Sequence, residues 1–86
     1  MGMDSEQEVV RLTRIGRNVT QAKFAEALGT TQAAVGYWES GRRRVSSERL
    51  SEWLADDRPW MRVFAKKLWN VRHGRDVSLI ERIRDE

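Results

Sequence analysis

Residues 20–41 read TQAKFAEALGTTQAAVGYWESG, and this stretch decides the fold. Thr20 precedes a run in which Phe24, Ala25 and Leu28 share one helical face, so its hydroxyl is placed to cap a helix over 21–28. Gly29 stands where helices commonly end in a left-handed residue. Thr31 repeats the capping signal for a helix over 32–40, and Gly41 repeats the stop. The two predicted helices meet at a tight turn, Leu28–Gly29–Thr30. Small Ala25 sits where such a pair must cross closely, and Val35 faces the first of the two.

Helix signals recur on both sides of this stretch, and strand signals do not. Ser5 followed three residues later by Glu8 is a capping-box pattern, opening a helix over 6–17 with Val9, Val10, Leu12 and Ile15 as its apolar stripe. Val45–Ser46 beside Leu50 reads as a hydrophobic staple around an N-cap, for a helix over 47–55 that buries Leu50, Trp53 and Leu54. Asp57–Arg58–Pro59 opens a long helix to residue 73, since proline suits the first turn and Gly74 stops the run. Ser78 and Glu81 repeat the capping box and predict a short last helix to residue 84. The reading is all-α: a unit of four helices over residues 1–56, and a C-terminal helical extension over 57–86.

Composition narrows the function classes. A chain of 86 residues supports one small core rather than an elaborate cleft. With no cysteine and a single histidine, His73, thiolate zinc sites and His-rich metal clusters are excluded, and no cofactor or small-molecule ligand is implied. No apolar run approaches membrane-spanning length, and the acidic first eight residues lack the apolar core of a signal peptide, so a bacterial-type cytoplasmic location is expected. The net charge is +3, but residues 1–8 carry −3 and residues 9–49 carry +5. Thirteen of the cations are arginine, whose fork suits phosphate, so either a polyanionic partner or a solvated surface accounts for the excess.

These residues resemble the phage repressor/Cro (XRE-type) helix-turn-helix family over about residues 9–55. The resemblance rests on Thr20–Gln21, Phe24–Ala25, Leu28–Gly29–Thr30–Thr31–Gln32, Val35 and Trp38–Glu39–Ser40–Gly41. It implies a double-stranded DNA operator as partner, with the helix over 32–40 entering the major groove. Gln32 then matches a residue that reads adenine, Ala33 one that touches a thymine methyl, and Tyr37 one that reaches a base edge or phosphate. Gln21, Thr31 and the run Arg42–Arg43–Arg44 match positions that approach the sugar–phosphate backbone. Arg14 matches a position that pairs with Glu39, tying the first helix to the end of the third. Three features depart from the family: Val45 stands where proline is frequent, Asp56–Asp57 stand where the family continues apolar, and Gly36 weakens the middle of the recognition helix by about 1 kcal/mol. Gly36 leaves two readings open, room for DNA or a tolerated cost.

The predicted long helix adds an assembly argument. Trp60, Met61, Phe64, Ala65, Leu68 and Val71 fill a broad arc, extended by Trp69, while Arg62, Lys66 and Asn70 form a narrow polar face. One wall can pack on its own domain, and the rest needs a second cover, from the last helix through Leu79, Ile80 and Ile83, from a second subunit, or from both. Leu68, Trp69, Leu79, Ile80 and Ile83 are the expected interface of a homodimer, which would place two recognition helices on one pseudo-palindromic operator. The expected function is transcriptional repression by a nucleoid-associated DNA-binding protein. A protein-interaction or antitoxin-type module using the same fold is the alternative, and no nucleophile–base pair points to an enzyme.

Overall fold

Four helix starts are satisfied by hydroxyls. Ser5 accepts a hydrogen bond from the Glu8 amide at 3.3 Å, and Thr20, Thr31 and Ser46 accept from the Lys23, Ala34 and Arg49 amides, each at 3.1 Å. Each cap contributes about 1 kcal/mol by pairing an amide the helix leaves unbonded. The computed structural model describes residues 5–74, and within them the elements are α1 (Glu6–Gly16), α2 (Gln21–Leu28), α3 (Gln32–Ser40), α4 (Ser47–Leu54) and α5 (Pro59–Arg72), with no strand. Gly29 and Gly41 close α2 and α3 with φ of 73° and 81°, where an L side chain is strained. At Gly41 a Cβ would also collide with the Gln7 side chain.

The bounds of α2 and α3 coincide with those read from the sequence, and α1, α4 and α5 each stop one residue earlier. The fifth start has no side-chain cap; Pro59 opens it, and the Asp56 carboxylate shapes the preceding turn by accepting from the Arg58 amide at 2.9 Å. The helix expected up to residue 84, with Leu79, Ile80 and Ile83, lies outside the described residues. None of the described helices is long and apolar enough to cross a membrane.

The core corrects the expected organisation. Met61, Phe64, Ala65 and Leu68 of α5 are buried in the same cluster as Val9 and Val10 of α1, Phe24 of α2, Val35 of α3 and Leu50 of α4. Phe64 meets Phe24 edge-on at 5.6 Å between ring centroids and leans on Trp53 at the same separation, while Trp38 meets Trp53 edge-on at 5.9 Å. The seam at residues 56–57 is therefore a turn between two helices of one core, and the described part of the extension belongs to that core. Leu68 is 0 % exposed. It is covered within its own subunit and cannot be the dimer contact expected of it, because α5 packs against both α1 and α4.

Asn70 also departs from expectation. The helical period places it on a polar face with Arg62 and Lys66, yet it is buried, and among the described residues its Nδ2 has no hydrogen-bond partner. Nothing in the described packing explains it. Among the described residues, the large hydrophobic side chains that stay exposed are Leu12 and Ile15 on α1, Tyr37 on α3 and Val63 on α5.

Candidate nucleic-acid interface

The capped start of α3 and its 3.6-residue period bring Gln32, Ala33, Gly36, Tyr37 and Ser40 onto one side of the helix. Val35 and Trp38, on the other side, are buried and anchor α3 to the core. Gln21, at the first turn of α2, and Arg42, just past Gly41, complete a shallow hollow with these residues. Five residues singled out from the sequence, Gln21, Gln32, Ala33, Tyr37 and Arg42, thus line one surface. It combines two carboxamides, a phenol, a hydroxyl and a guanidinium around a small apolar patch. Such a set can hydrogen-bond base edges, touch a methyl group and pair with phosphate.

The other expected contacts are differently placed. Thr31 spends its oxygen lone pair on the Ala34 amide, which leaves its hydroxyl proton available to an external acceptor. Arg43 is exposed and holds its guanidinium 5.2 Å from the centre of the Tyr37 ring, a cation–π contact that orients both side chains. Arg44 is already engaged. Its Nη2 and Nε donate to one oxygen of Glu6 at 2.6 and 3.2 Å.

Two ion-pair systems fix this surface to the rest of the domain. Arg14 grips Glu39 with two hydrogen bonds, Nε to Oε2 at 2.6 Å and Nη2 to Oε1 at 3.2 Å, and also donates to the Val19 carbonyl at 3.1 Å. Gln21 Nε2 donates to Glu39 Oε1 at 3.2 Å, so the same carboxylate orients α1, α3 and the first side chain of α2. The hydrogen bond to Glu39 raises the Arg14 pKa further above its already high ordinary value, so the guanidinium stays charged. A partly buried pair of this kind specifies geometry more than it adds stability.

The second system was not read from the sequence. Glu6 accepts from Arg72 at 2.6 and 3.1 Å as well as from Arg44, and Arg72 donates to the Val45 carbonyl too. One acid at the start of α1 thereby joins the end of α5 to the loop that follows the recognition helix. Burial raises the Glu6 pKa, but the hydrogen bonds from Arg72 and Arg44 outweigh it and leave the carboxyl below its ordinary value. Arg58 was also missed. Its Nη1 donates to the Ala27 carbonyl at 2.7 Å near the end of α2, and its Nε and Nη2 grip Asp56 at 2.9 and 3.0 Å. The Asp56–x–Arg58 spacing before a proline was the available signal. The partner on α2 was not readable from spacing at all.

Among the described residues, no three acidic, His or Cys side chains cluster closely enough to hold a metal ion. His73 stacks against Trp69, with centroids 4.2 Å apart.

The arrangement separates the arginine run into two kinds. Replacing Arg42 or Arg43 by Ala is expected to weaken DNA binding on all sequences and to reduce the salt slope by roughly one unit each. Replacing Arg44 should reduce the slope less, because Arg44, although 67 % exposed, shares the Glu6 carboxylate with Arg72. Fluorescence-anisotropy titrations at several salt concentrations check this, and an equal drop in slope for Arg44 would remove the distinction.

A family model described as helix-turn-helix matches residues 10–55, more than half of the chain. No curated protein and no solved structure matches it. The matched span begins in α1 and ends just after α4, so it contains the turn at Gly29, the recognition helix and the Arg14–Glu39 tie. With the all-helical fold, the polar face of α3 and the arginines that follow it, this establishes that the chain belongs to the phage repressor/Cro-like (XRE-type) helix-turn-helix family of DNA-binding regulators.

Proposed function

We propose that the protein acts in the cytoplasm as a transcriptional repressor, binding a pseudo-palindromic double-stranded operator as a homodimer. The observation that carries the reading is the hollow on α3, where Gln21, Gln32, Ala33, Tyr37 and Arg42 come together on the side facing away from the core. With α3 in the major groove, Gln32 offers a donor and an acceptor to the N7 and N6 of adenine, and Ala33 offers a methyl to thymine. Tyr37, held by Arg43, reaches the base edge or phosphate one turn further on. Arg42, Arg43, Thr31 and Gln21 set the register on the backbone. Occupancy of the site then excludes other proteins from it.

Two features support a pair of subunits. Leu12, Ile15 and Val63 leave apolar surface uncovered on α1 and α5, and Trp69 is only partly buried. The interface read from the sequence also includes Leu79, Ile80 and Ile83, which lie outside the described residues. Symmetric subunits would present two recognition helices about one helical turn apart, roughly 34 Å.

Selection of bound duplexes from a random pool tests the reading. A recovered site with two inverted halves supports both DNA reading and the dimer, and a single half-site would remove the dimer. Failure to enrich any sequence would favour a protein-interaction role for the same fold. On the recovered site, Gln32→Ala is expected to cost about 1–3 kcal/mol at one base pair and to relax the preference there. An equal loss on every sequence would assign Gln32 to the backbone instead.

A further inference from the structure

Gly36 occupies the middle of α3, where glycine is less favourable than any residue except proline. Three physical demands retain a glycine in such a place: a positive φ, close packing within the protein, or room for something outside it. The first does not apply, because the positive-φ glycines of the described chain are Gly29, Gly41 and Gly74. The second does not apply either. A Cβ built on Gly36 meets only Gln21 Oε1, at 3.8 Å, an ordinary van der Waals contact. The crossing of α2 and α3 would therefore accept alanine.

The third demand remains, and the surroundings say what the room is for. Gln21, Gln32, Ala33, Tyr37, Ser40 and Arg42 ring the same hollow, and Gly36 is part of its floor. We infer that Gly36 is the close-approach point of this surface, where one sugar–phosphate strand of the DNA lies against bare helix backbone. The inference rests on the DNA-binding reading and adds the residue that sets how deeply α3 sits. Gln21 and Arg42 flank the point with groups suited to phosphate, while Gln32 and Ala33 lie further along α3 toward the bases. A methyl group on the floor would hold the strand off by part of its own diameter. Every contact around the hollow would then lengthen together, so the loss would appear on all sequences. Gly36 thus weakens the helix in exchange for depth of docking.

The test is Gly36→Ala, with Ser51→Ala as a control, since Ser51 is an exposed position inside α4, outside the hollow and outside the apolar surface of α1 and α5. Thermal melts and titrations with a labelled random-sequence duplex, and with a duplex recovered by selection, are measured for both variants and the unaltered protein. Gly36→Ala is expected to raise Tm by about 4–8 °C, the gain of a better helix former in a domain of this size. It should raise Kd by about tenfold or more on both duplexes, as overpacking by one methyl does. The salt slope should not move, because no charge is lost. Ser51→Ala should leave Kd unchanged. A Gly36→Ala protein that melts higher and binds within about twofold of the unaltered one would overturn the inference and leave the glycine as a tolerated cost. A lower Tm would also overturn it, by showing that the fold itself needs the glycine. Lack of any DNA binding by the unaltered protein would instead remove the DNA-binding reading, and this role with it.

Discussion

Phe64→Ala is expected to lower the stability of the domain by about 3–5 kcal/mol, measured as the shift of a chemical denaturation midpoint. Phe64 is 1 % exposed and joins three helices, through its edge on Phe24 of α2 and its lean on Trp53 of α4. Removing the ring forfeits its burial and leaves a cavity whose walls are themselves aromatic and cannot collapse far. A domain of this size has a total stability on the order of 5–10 kcal/mol, so the variant should be close to unfolding at room temperature. The same packing predicts that a chain ending before Pro59 will show no cooperative melt, because Met61, Ala65 and Leu68 leave the core together with Phe64. A midpoint shift below about 1 kcal/mol for Phe64→Ala would mean that α5 is a detachable appendage after all.

Glu6→Ala is expected to cost about 2–4 kcal/mol, an unusual loss for a residue in the first turn of a helix. The cause is Arg72, whose side chain is only 13 % exposed and whose acidic partner is Glu6. Without the carboxylate, a largely buried guanidinium keeps only the Val45 carbonyl among the described residues, and the end of α5 loses its tie to α1. Arg44 is released to solvent by the same change. The pH dependence follows from the lowered Glu6 pKa. The charged carboxylate is favoured by folding, so its contribution is full above the ordinary glutamate value of 4.5 and is lost as pH falls through the lower folded value. The stability difference between the unaltered protein and Glu6→Gln should therefore be constant near neutrality and shrink in acid. Asp56, held down at about 2 mainly by its hydrogen bond to the Arg58 side chain, contributes in full above its ordinary 3.8 and loses that contribution as pH falls through about 2. Denaturation midpoints across the acid range check both, and a difference that grew as pH fell would contradict the sign.

The helices were legible in the sequence because their start and stop signals are local. Thr20, Gly29, Thr31 and Gly41 bracket α2 and α3 at the residues read from the chain, since a cap bonds an amide three residues away and a left-handed glycine ends the helix it follows. The composition of the candidate surface was legible for the same reason. Gln32, Ala33 and Tyr37 share a face through helical period alone, and the resemblance to a known family supplied Gln21 and Arg42.

What only the tertiary structure decided is which distant groups meet. The apolar period of α5 showed that the helix has a broad buried side. Whether α1 and α4 or a second subunit would cover Leu68 depended on how the helices pack. Glu6 reaches Arg44 and Arg72 across 38 and 66 residues of chain, and Arg58 reaches Ala27 across 31. Those contacts removed Arg44 from the free cations and made Glu6 a structural hub. Periodicity and capping act within a turn or two of helix, so sequence by itself determined the five described helices and the outward face of α3. Burial and ion pairing act through space, so the cover of α5, the engagement of Arg44 and the empty floor at Gly36 were set by the way the five helices close around one core.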